Sequence, residues 1–188
     1  MGIKIRCDWC LGDPLYESYH DIEWGVPVYD DDKLFEFLIL ETFQAGLSWI
    51  TILRKRENFR KAFDNFDYQK ISNYNQDKFD ELLQDAGIIR NRLKIKATIT
   101  NSQAFIRVQE EFGSFSNYIW GFVNGKPIKN EFKSLKDIPA NTPLSDIISK
   151  DLKKRGFKFV GTTVIYAHMQ ATGMVNDHLT TCFRYNEI

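Results

Sequence analysis

The chain has 188 residues, 25 basic and 25 acidic side chains and no formal net charge, with 43% apolar and 14% aromatic residues. That length supports one domain with a sizeable core, taken here as residues 1–188. The charge balance gives no support to bulk electrostatic binding of nucleic acid and leaves a local basic patch open. No run approaches the ~20 apolar residues of a membrane span.

The predicted elements are almost all helical. The Met1–Arg6 run is too short and polar for a signal peptide. A helix follows the acidic Asp30-Asp31-Asp32, with Leu34, Phe37, Leu38 and Glu41 in periodic positions. A further helix is expected over 45–63, with Leu47, Ile50, Leu53 and Phe59 at helical spacing. Residues 79–86 read as a short helix stopped by Gly87, and 93–108 as a longer one with Ile95, Ile99 and Phe105 inward. Residues 115–123 are aromatic and expected to be buried. Asn124-Gly125-Lys126-Pro127 is a turn, and Pro139 and Pro143 mark a connector. Ser145 is expected to cap a helix to about Lys154. After Gly156 to Gly161 a last helix starts at Thr162 or Thr163 and runs to about Thr172. Strand-like alternation is nearly absent, so the fold class is all-α.

Three features carry chemistry. Cys7 and His20 near one end, with His178 and Cys182 near the other, are ligand types that suit tetrahedral zinc. Only His178 and Cys182 have helical i, i+4 spacing. On spacing alone a buried free cysteine with hydrogen-bonded histidines is the plainer reading. Cys10 stands at C-x-x-C distance from Cys7, which leaves a second ligand set open. An odd number of widely placed cysteines speaks against a disulfide framework and for a reducing cytoplasm.

The second feature is Lys153-Lys154-Arg155-Gly156-Phe157-Lys158-Phe159-Val160-Gly161-Thr162-Thr163. A basic helix end meets a Gly-bounded turn and a new helix start, whose free N–H groups suit a phosphate. Lys158, Gly161, Thr162 and Thr163 are the candidate contacts, with an ordinary helical corner as the alternative. Gly87 to Arg92 forms a second, weaker candidate turn. The third feature is an acid, Glu41, set in an apolar helix among Trp9, Tyr16, Tyr19, Trp24 and Trp49. A buried acid must be paired, hydrogen-bonded or functional. Aromatic rings plus one carboxylate suit a flat cationic ligand, whereas a core of aromatics with Glu41 paired to an Arg is the plainer arrangement.

Asp13-Pro14-Leu15-Tyr16, Tyr19-His20-Asp21, Glu23-Trp24-Gly25-Val26-Pro27, Gln44-Ala45-Gly46-Leu47-Ser48-Trp49-Ile50-Thr51, Asp85 to Arg90, Lys154 to Thr163, and Met169-Gln170-Ala171 with Val175-Asn176-Asp177-His178 resemble the DNA-3-methyladenine glycosylase I family over essentially the whole chain. The resemblance implies a helix-hairpin-helix DNA glycosylase fold. It implies a structural zinc on Cys7, His20, His178 and Cys182 that joins the N- and C-terminal segments, with Cys10 spare. It also implies that Glu41 reads the base edge between Trp9, Tyr16, Tyr19, Trp24 and Trp49, and that Gly46 and Leu47 plug the gap left by a flipped nucleotide. Thr42-Phe43 and His168 depart from the family pattern.

The implied reaction is monofunctional hydrolysis of the N-glycosidic bond of 3-methyladenine in alkylated double-stranded DNA, leaving an abasic site in base excision repair. Some activity on 3-methylguanine is expected, and so is a monomer. Related glycosylases carry a catalytic Asp where this chain has Asn176, although Asp177 lies next to it. A base that is already cationic leaves readily, which makes that absence intelligible. A non-catalytic binding module, and a nuclease or oxidised-base glycosylase, are the competing classes.

Overall fold

The computed structural model describes residues 4–188, so the first three residues of the Met1–Arg6 run lie outside the described part. Nine α-helices are present among the described residues: α1 Pro14–Ile22, α2 Asp31–Gln44, α3 Trp49–Ala62, α4 Tyr68–Ile71, α5 Gln76–Gln84, α6 Arg92–Phe112, α7 Phe115–Gly121, α8 Pro143–Lys154 and α9 Thr162–Ala171.

Helix α2 is the centre of the packing. Its residues from Leu34 to Phe43 are all buried. It contacts α3, α6, α7 and α9, and a helix surrounded in this way must be apolar on every side. Phe35 stacks edge-on against Phe105 of α6 at 5.0 Å between centroids, and Phe43 lies against Phe59 of α3 at 4.8 Å. Full burial of such a ring contributes about 1.5–3 kcal/mol. At the start of α2, Asp31 accepts from the backbone N–H groups of Phe115 and Ser116 and from Gln109. One carboxylate thereby satisfies orphan donors of α7 and holds it against α2 and α6.

Several boundaries differ from the sequence reading. Helix α1 had no predicted counterpart, yet Asp13 accepts from Leu15 N and Tyr16 N, and Pro14 occupies the first turn. This Asp-Pro start is a standard helix signal. The helix expected over 45–63 begins only at Trp49. Gly46 at φ 84° takes the chain out of helix before it, and Lys94 donates to the carbonyls of Phe43 and Ala45, both at 2.9 Å. A buried ammonium on those carbonyls closes α2 and sets the loop that follows. Helix α6 runs past the expected Val108 to Phe112, where left-handed Gly113 ends it. Thr142, not Ser145, caps α8. Ser145 is its capping-box partner, accepting from Thr142 N while donating none of the N-cap role itself.

A two-residue parallel ladder pairs Ile128–Lys129 (β1) with Val175–Asn176 (β2). It is too short for periodicity to reveal. The ladder follows Gly173, which has φ 70° and would place a Cβ 2.5 Å from the backbone of Val26 and Pro27. Only glycine fits that approach.

His168 on α9 is fully buried, and neither ring nitrogen has a partner. Burial lowers its pKa to about 4. The neutral ring is therefore retained in the fold while the unfolded chain protonates below about 6.5. The associated stability is complete above that pH and declines as pH falls from about 6.5 toward 4. His168→Phe is expected to raise stability by about 1–3 kcal/mol near pH 7. Its advantage should widen between pH 6.5 and 4, as measured by urea unfolding across that range.

Candidate functional site

Helices α1, α2, α3 and α9 converge on a cavity of about 290 Å³. Trp9, Tyr16, Tyr19, Trp24, Glu41 and Trp49 all line it, so the aromatic residues and the acid singled out in the sequence do meet. Trp9 is the hub: its ring lies 4.8 Å from Tyr16, 6.5 Å from Tyr19 and 5.0 Å from Trp24. Tyr19 tilts against Trp49 at 5.7 Å. The rings pack edge to face on one another and together present an aromatic wall to the cavity, which suits a flat, electron-poor ring.

Glu41 is 3% exposed, and its Oε2 has no hydrogen-bond partner. Burial alone pushes its pKa up to about 8. The plainer arrangement, a salt bridge to arginine, does not form. Arg56 instead pairs with Glu36 and Glu23, each at 2.7 Å, and Arg60 also reaches Glu36. Tyr19 Oη and Trp49 Nε1 are likewise buried and unpartnered. Three unsatisfied polar atoms in one aromatic cavity are costly for folding and suited to a ligand with polar edges.

Sequence reasoning missed four further lining residues that matter, Gln44, Ala167, Gln170 and Ile138. Gln44 lies three residues beyond Glu41 on α2, so helical spacing was its signal. No local pattern marked Ala167 and Gln170, which α9 brings from the far end of the chain.

Gly46 and Leu47 sit at the rim. They line a second recess with Glu41, Gln44, Thr163, Val164 and Ala167, and Leu47 is 40% exposed. The turn between α8 and α9 is held from inside. Asn101 of α6 accepts from Lys158 N at 2.7 Å and donates to Lys158 O at 3.1 Å, while Ser149 donates to Val160 O at 2.6 Å. Lys158 and Thr163 are exposed. Gly161 starts α9 without a side-chain cap, and a Cβ there would meet nothing within 4 Å. A side chain at that position would therefore meet open space. The Thr162 hydroxyl, by contrast, already bonds Ser145 at 2.8 Å. Arg155 is also occupied, by Asp151 and Glu111, so it adds no free charge to the basic run.

Cys7, His20, His178 and Cys182 are all buried, and their ligand atoms lie within 4.8 Å of one another. Cys182 Sγ is 3.4 Å from His20 Nε2 and 3.5 Å from His178 Nδ1, and Cys7 Sγ is 3.7 Å from His178 Nδ1. The outer ring nitrogens are engaged: His20 Nδ1 lies 2.9 Å from Asp21, and His178 Nε2 lies 3.1 Å from the Trp24 carbonyl. Each outer contact fixes the tautomer that turns the other nitrogen inward. Leu179 N–H also points at Cys7 Sγ, at 3.4 Å. This cluster could hold one metal ion. Cys10 is not part of it, because its thiol donates to Cys7 O at 3.1 Å.

The carboxylate question at 176–177 has a geometric answer. Asn176 Nδ2 donates to the carbonyls of Tyr185 and Ile188, and its Oδ1 accepts from His178 N. It fastens the C-terminal segment. Asp177 is fully buried and receives Asn130, Tyr166 and Gln170.

The profile of the methyladenine glycosylase family matches residues 9–185. DNA-3-methyladenine glycosylase 1 of Escherichia coli (strain K12) is 51% identical over 180 residues, 96% of each chain. A crystal structure of 3-methyladenine DNA glycosylase I superposes with a TM-score of 0.92 at 53% identity, covering 95% of this chain and 98% of that one. A Tyr-to-Phe variant of 3-methyladenine DNA glycosylase I, in complex with 3-methyladenine, gives the same TM-score at 35% identity, with 95% and 96% covered. With a match of this extent lying over the aromatic cavity, the unpaired acid and the Cys/His cluster, the chain belongs to the methyladenine glycosylase family.

Proposed function

We propose that this chain is a monofunctional DNA glycosylase that removes 3-methyladenine from alkylated double-stranded DNA in base excision repair. The observation that carries the reading is the buried, unpartnered Glu41 inside an aromatic cavity. N3-methylation makes the purine nucleotide cationic. The rings of Trp9, Tyr16, Tyr19, Trp24 and Trp49 stack on that cation, and Glu41 supplies the missing countercharge. Neutral adenine gains neither, which is the basis of discrimination. Glu41 is the catalytic residue in this scheme, since its charge also favours the oxocarbenium-like sugar.

The C1′–N9 bond breaks with its electron pair moving onto the base, which leaves neutral. Water then adds at C1′ and loses a proton, leaving an abasic site. The cavity lining contains no lysine amine to form a Schiff base, which supports a monofunctional course. No free carboxylate stands at Asn176, and Asp177 is sealed by its donors. A cationic leaving group needs no such acid.

DNA is gripped through a helix-hairpin-helix made of α8 and α9. Lys158 and the N–H groups at Gly161, Thr162 and Thr163 meet backbone phosphate. Gly46 and Leu47 fill the gap left by the extruded nucleotide, at a cost of a few kcal/mol for extrusion. The Cys7, His20, His178 and Cys182 cluster holds zinc. All four positions come from the protein, as in a structural site, and the ion ties the segment carrying Trp9 to the segment beyond α9. The whole chain acts as one domain and as a monomer. Among the described residues no helix is long and apolar enough to cross a membrane, and three unbridged cysteines fit a reducing cytoplasm.

Glu41→Gln is expected to lower kcat/KM for release of free 3-methyladenine by at least about tenfold to a hundredfold, measured on methylated duplex DNA. In the wild type, kcat/KM should rise with pH toward a plateau above about 8, because ionised Glu41 is the competent form and its pKa is raised to about 8. The Gln variant should lack that rise. A wild type that releases no 3-methyladenine while folded would overturn the assignment. For the metal, elemental analysis should find about one zinc per chain. Cys7→Ala should lose it and Cys10→Ala should keep it; equal loss in both would contradict the ligand set. For the grip, Lys158→Ala should weaken DNA binding and reduce the salt-dependence slope by about 1, with binding of the free base unchanged.

A further inference from the structure

Lys94 carries its charge at the wrong end of its own helix. It stands in the first turn of α6, where its backbone N–H donates to the Asn91 cap at 3.1 Å. A cation is unfavourable there and favourable at a helix C-terminus. Its side chain crosses to such a terminus, the end of α2. It is 6% exposed, and Nζ donates to the carbonyls of Phe43 and Ala45, both at 2.9 Å. A buried ammonium must be held by acceptors, and here backbone carbonyls serve.

The chain those carbonyls lead into is a type II turn. Ala45 has φ −48° and ψ 116°, Gly46 has φ 84°, and Leu47 N–H donates to Gln44 O at 2.6 Å. A type II turn has about −60° and 120°, followed by a φ of about 80°. The commoner type I turn joins the same ends and differs by a flip of the central peptide, here Ala45–Gly46. C=O and N–H point opposite ways in a trans peptide, so the flip would carry Ala45 O away from Lys94. The bond to Lys94 therefore exists in one form and not in the other. A Cβ at Gly46 would meet nothing within 4 Å, so its positive φ alone demands glycine.

We infer that Lys94 is a positioning residue for base excision: it locks the turn over 44–47 in its type II form, and with it the Gly46-Leu47 tip that enters the duplex. This rests on the role proposed above for Gly46 and Leu47. The tip is exposed, with Leu47 at 40%. A loop that fills the gap left by a nucleotide acts best when its shape is set before DNA arrives, because ordering it on binding weakens the complex. Lys94 sets that shape from behind, from a helix packed against α2. Glu41 and Gln44 line the aromatic cavity just before the turn, so the same bond fixes the tip relative to the cavity.

The test compares release of 3-methyladenine from methylated duplex DNA with calorimetric binding of the free base, on zinc-loaded full-length protein. Lys94→Met keeps most of the length and removes the donors. It should lower kcat/KM on the duplex about tenfold or more and leave free-base affinity within about twofold. Lys94→Arg, which keeps charged donors, should recover part of the loss. Gly46→Ala completes a double-mutant cycle. With Lys94 present, alanine is forced to a φ of 84° and duplex activity should fall. In Lys94→Met the peptide is free to flip, so the same alanine should cost less. Duplex activity within about twofold of the wild type in Lys94→Met would overturn the inference. So would additive losses in the cycle, or equal loss of duplex activity and free-base affinity, which is what general destabilisation produces. If Lys94→Met does not fold, Lys94→Gln, which keeps an amide donor, decides by the same ratio. Failure of both to fold assigns the lysine to the core and defeats the inference. A folded wild type that releases no 3-methyladenine defeats the base-excision reading, whereas undiminished release by Lys94→Met defeats only the role of Lys94.

Discussion

A carboxyl group without a countercharge, set in the most buried helix of the molecule, is the constraint on which the site depends. Glu41 sits on α2, which is enclosed by α3, α6, α7 and α9. Raising its pKa from 4.5 to about 8 means that ionising it in place costs about 5 kcal/mol more than in water. The nearest arginines are spent elsewhere: Arg56 and Arg60 serve Glu36 and Glu23. The fold therefore keeps Glu41 short of a cation in a cavity walled by rings. In the proposed reaction a cationic purine would supply it and a neutral one would not, so selectivity would follow from what the protein withholds as much as from what it offers.

The surrounding structure ties that cavity to the turn between α8 and α9. Lys94 of α6 closes α2 through the carbonyls of Phe43 and Ala45 and so sets the Gly46-Leu47 loop. Asn101, also on α6, clamps Lys158 at the turn before α9. The Gly46-Leu47 loop and the turn before α9 are thus both referred to α6. At the other side of the cavity, the Cys/His cluster joins the residues around Trp9 to those beyond α9, and Trp24 touches it through its carbonyl and through an edge contact to His178 at 4.6 Å. A wall of the aromatic cavity therefore also packs against the Cys/His cluster. The cluster does no chemistry in this scheme; its effect is to hold the aromatic wall in place.

The legibility of this arrangement in the sequence was uneven, and the reasons are physical. Helices with long apolar periodicity, such as α2 and α6, were readable because burial imposes period on sequence. Helix α1 was missed although Asp13-Pro14 marks its start, since its nine residues carry the cavity-lining Tyr16 and Tyr19 in place of a simple apolar face. The helix expected over 45–63 lost its first turn because a lysine fifty residues away competes for the carbonyls there. The two-residue ladder left no pattern at all. Among site residues, Glu41 stood out as an acid in an apolar run. Gln170 did not, because a glutamine at a helix end is unremarkable until Asp177 is seen to hold it.

What the sequence determined by itself was the class: a charge-balanced, mostly helical chain with ligand residues at both ends, an out-of-place acid and blocks that mark its family. Composition and local periodicity are enough for that, because they record which residues must be buried. Tertiary structure alone decided which polar groups are partnered. It left Glu41 unpaired, turned Asn176 toward the C-terminal segment, took Arg155 and Thr162 into internal contacts, put Cys10 outside the cluster and bonded Gln170 to Asp177. Hydrogen bonds and ion pairs act over a few ångströms between residues far apart in the chain, and no spacing along the chain encodes which of them will meet.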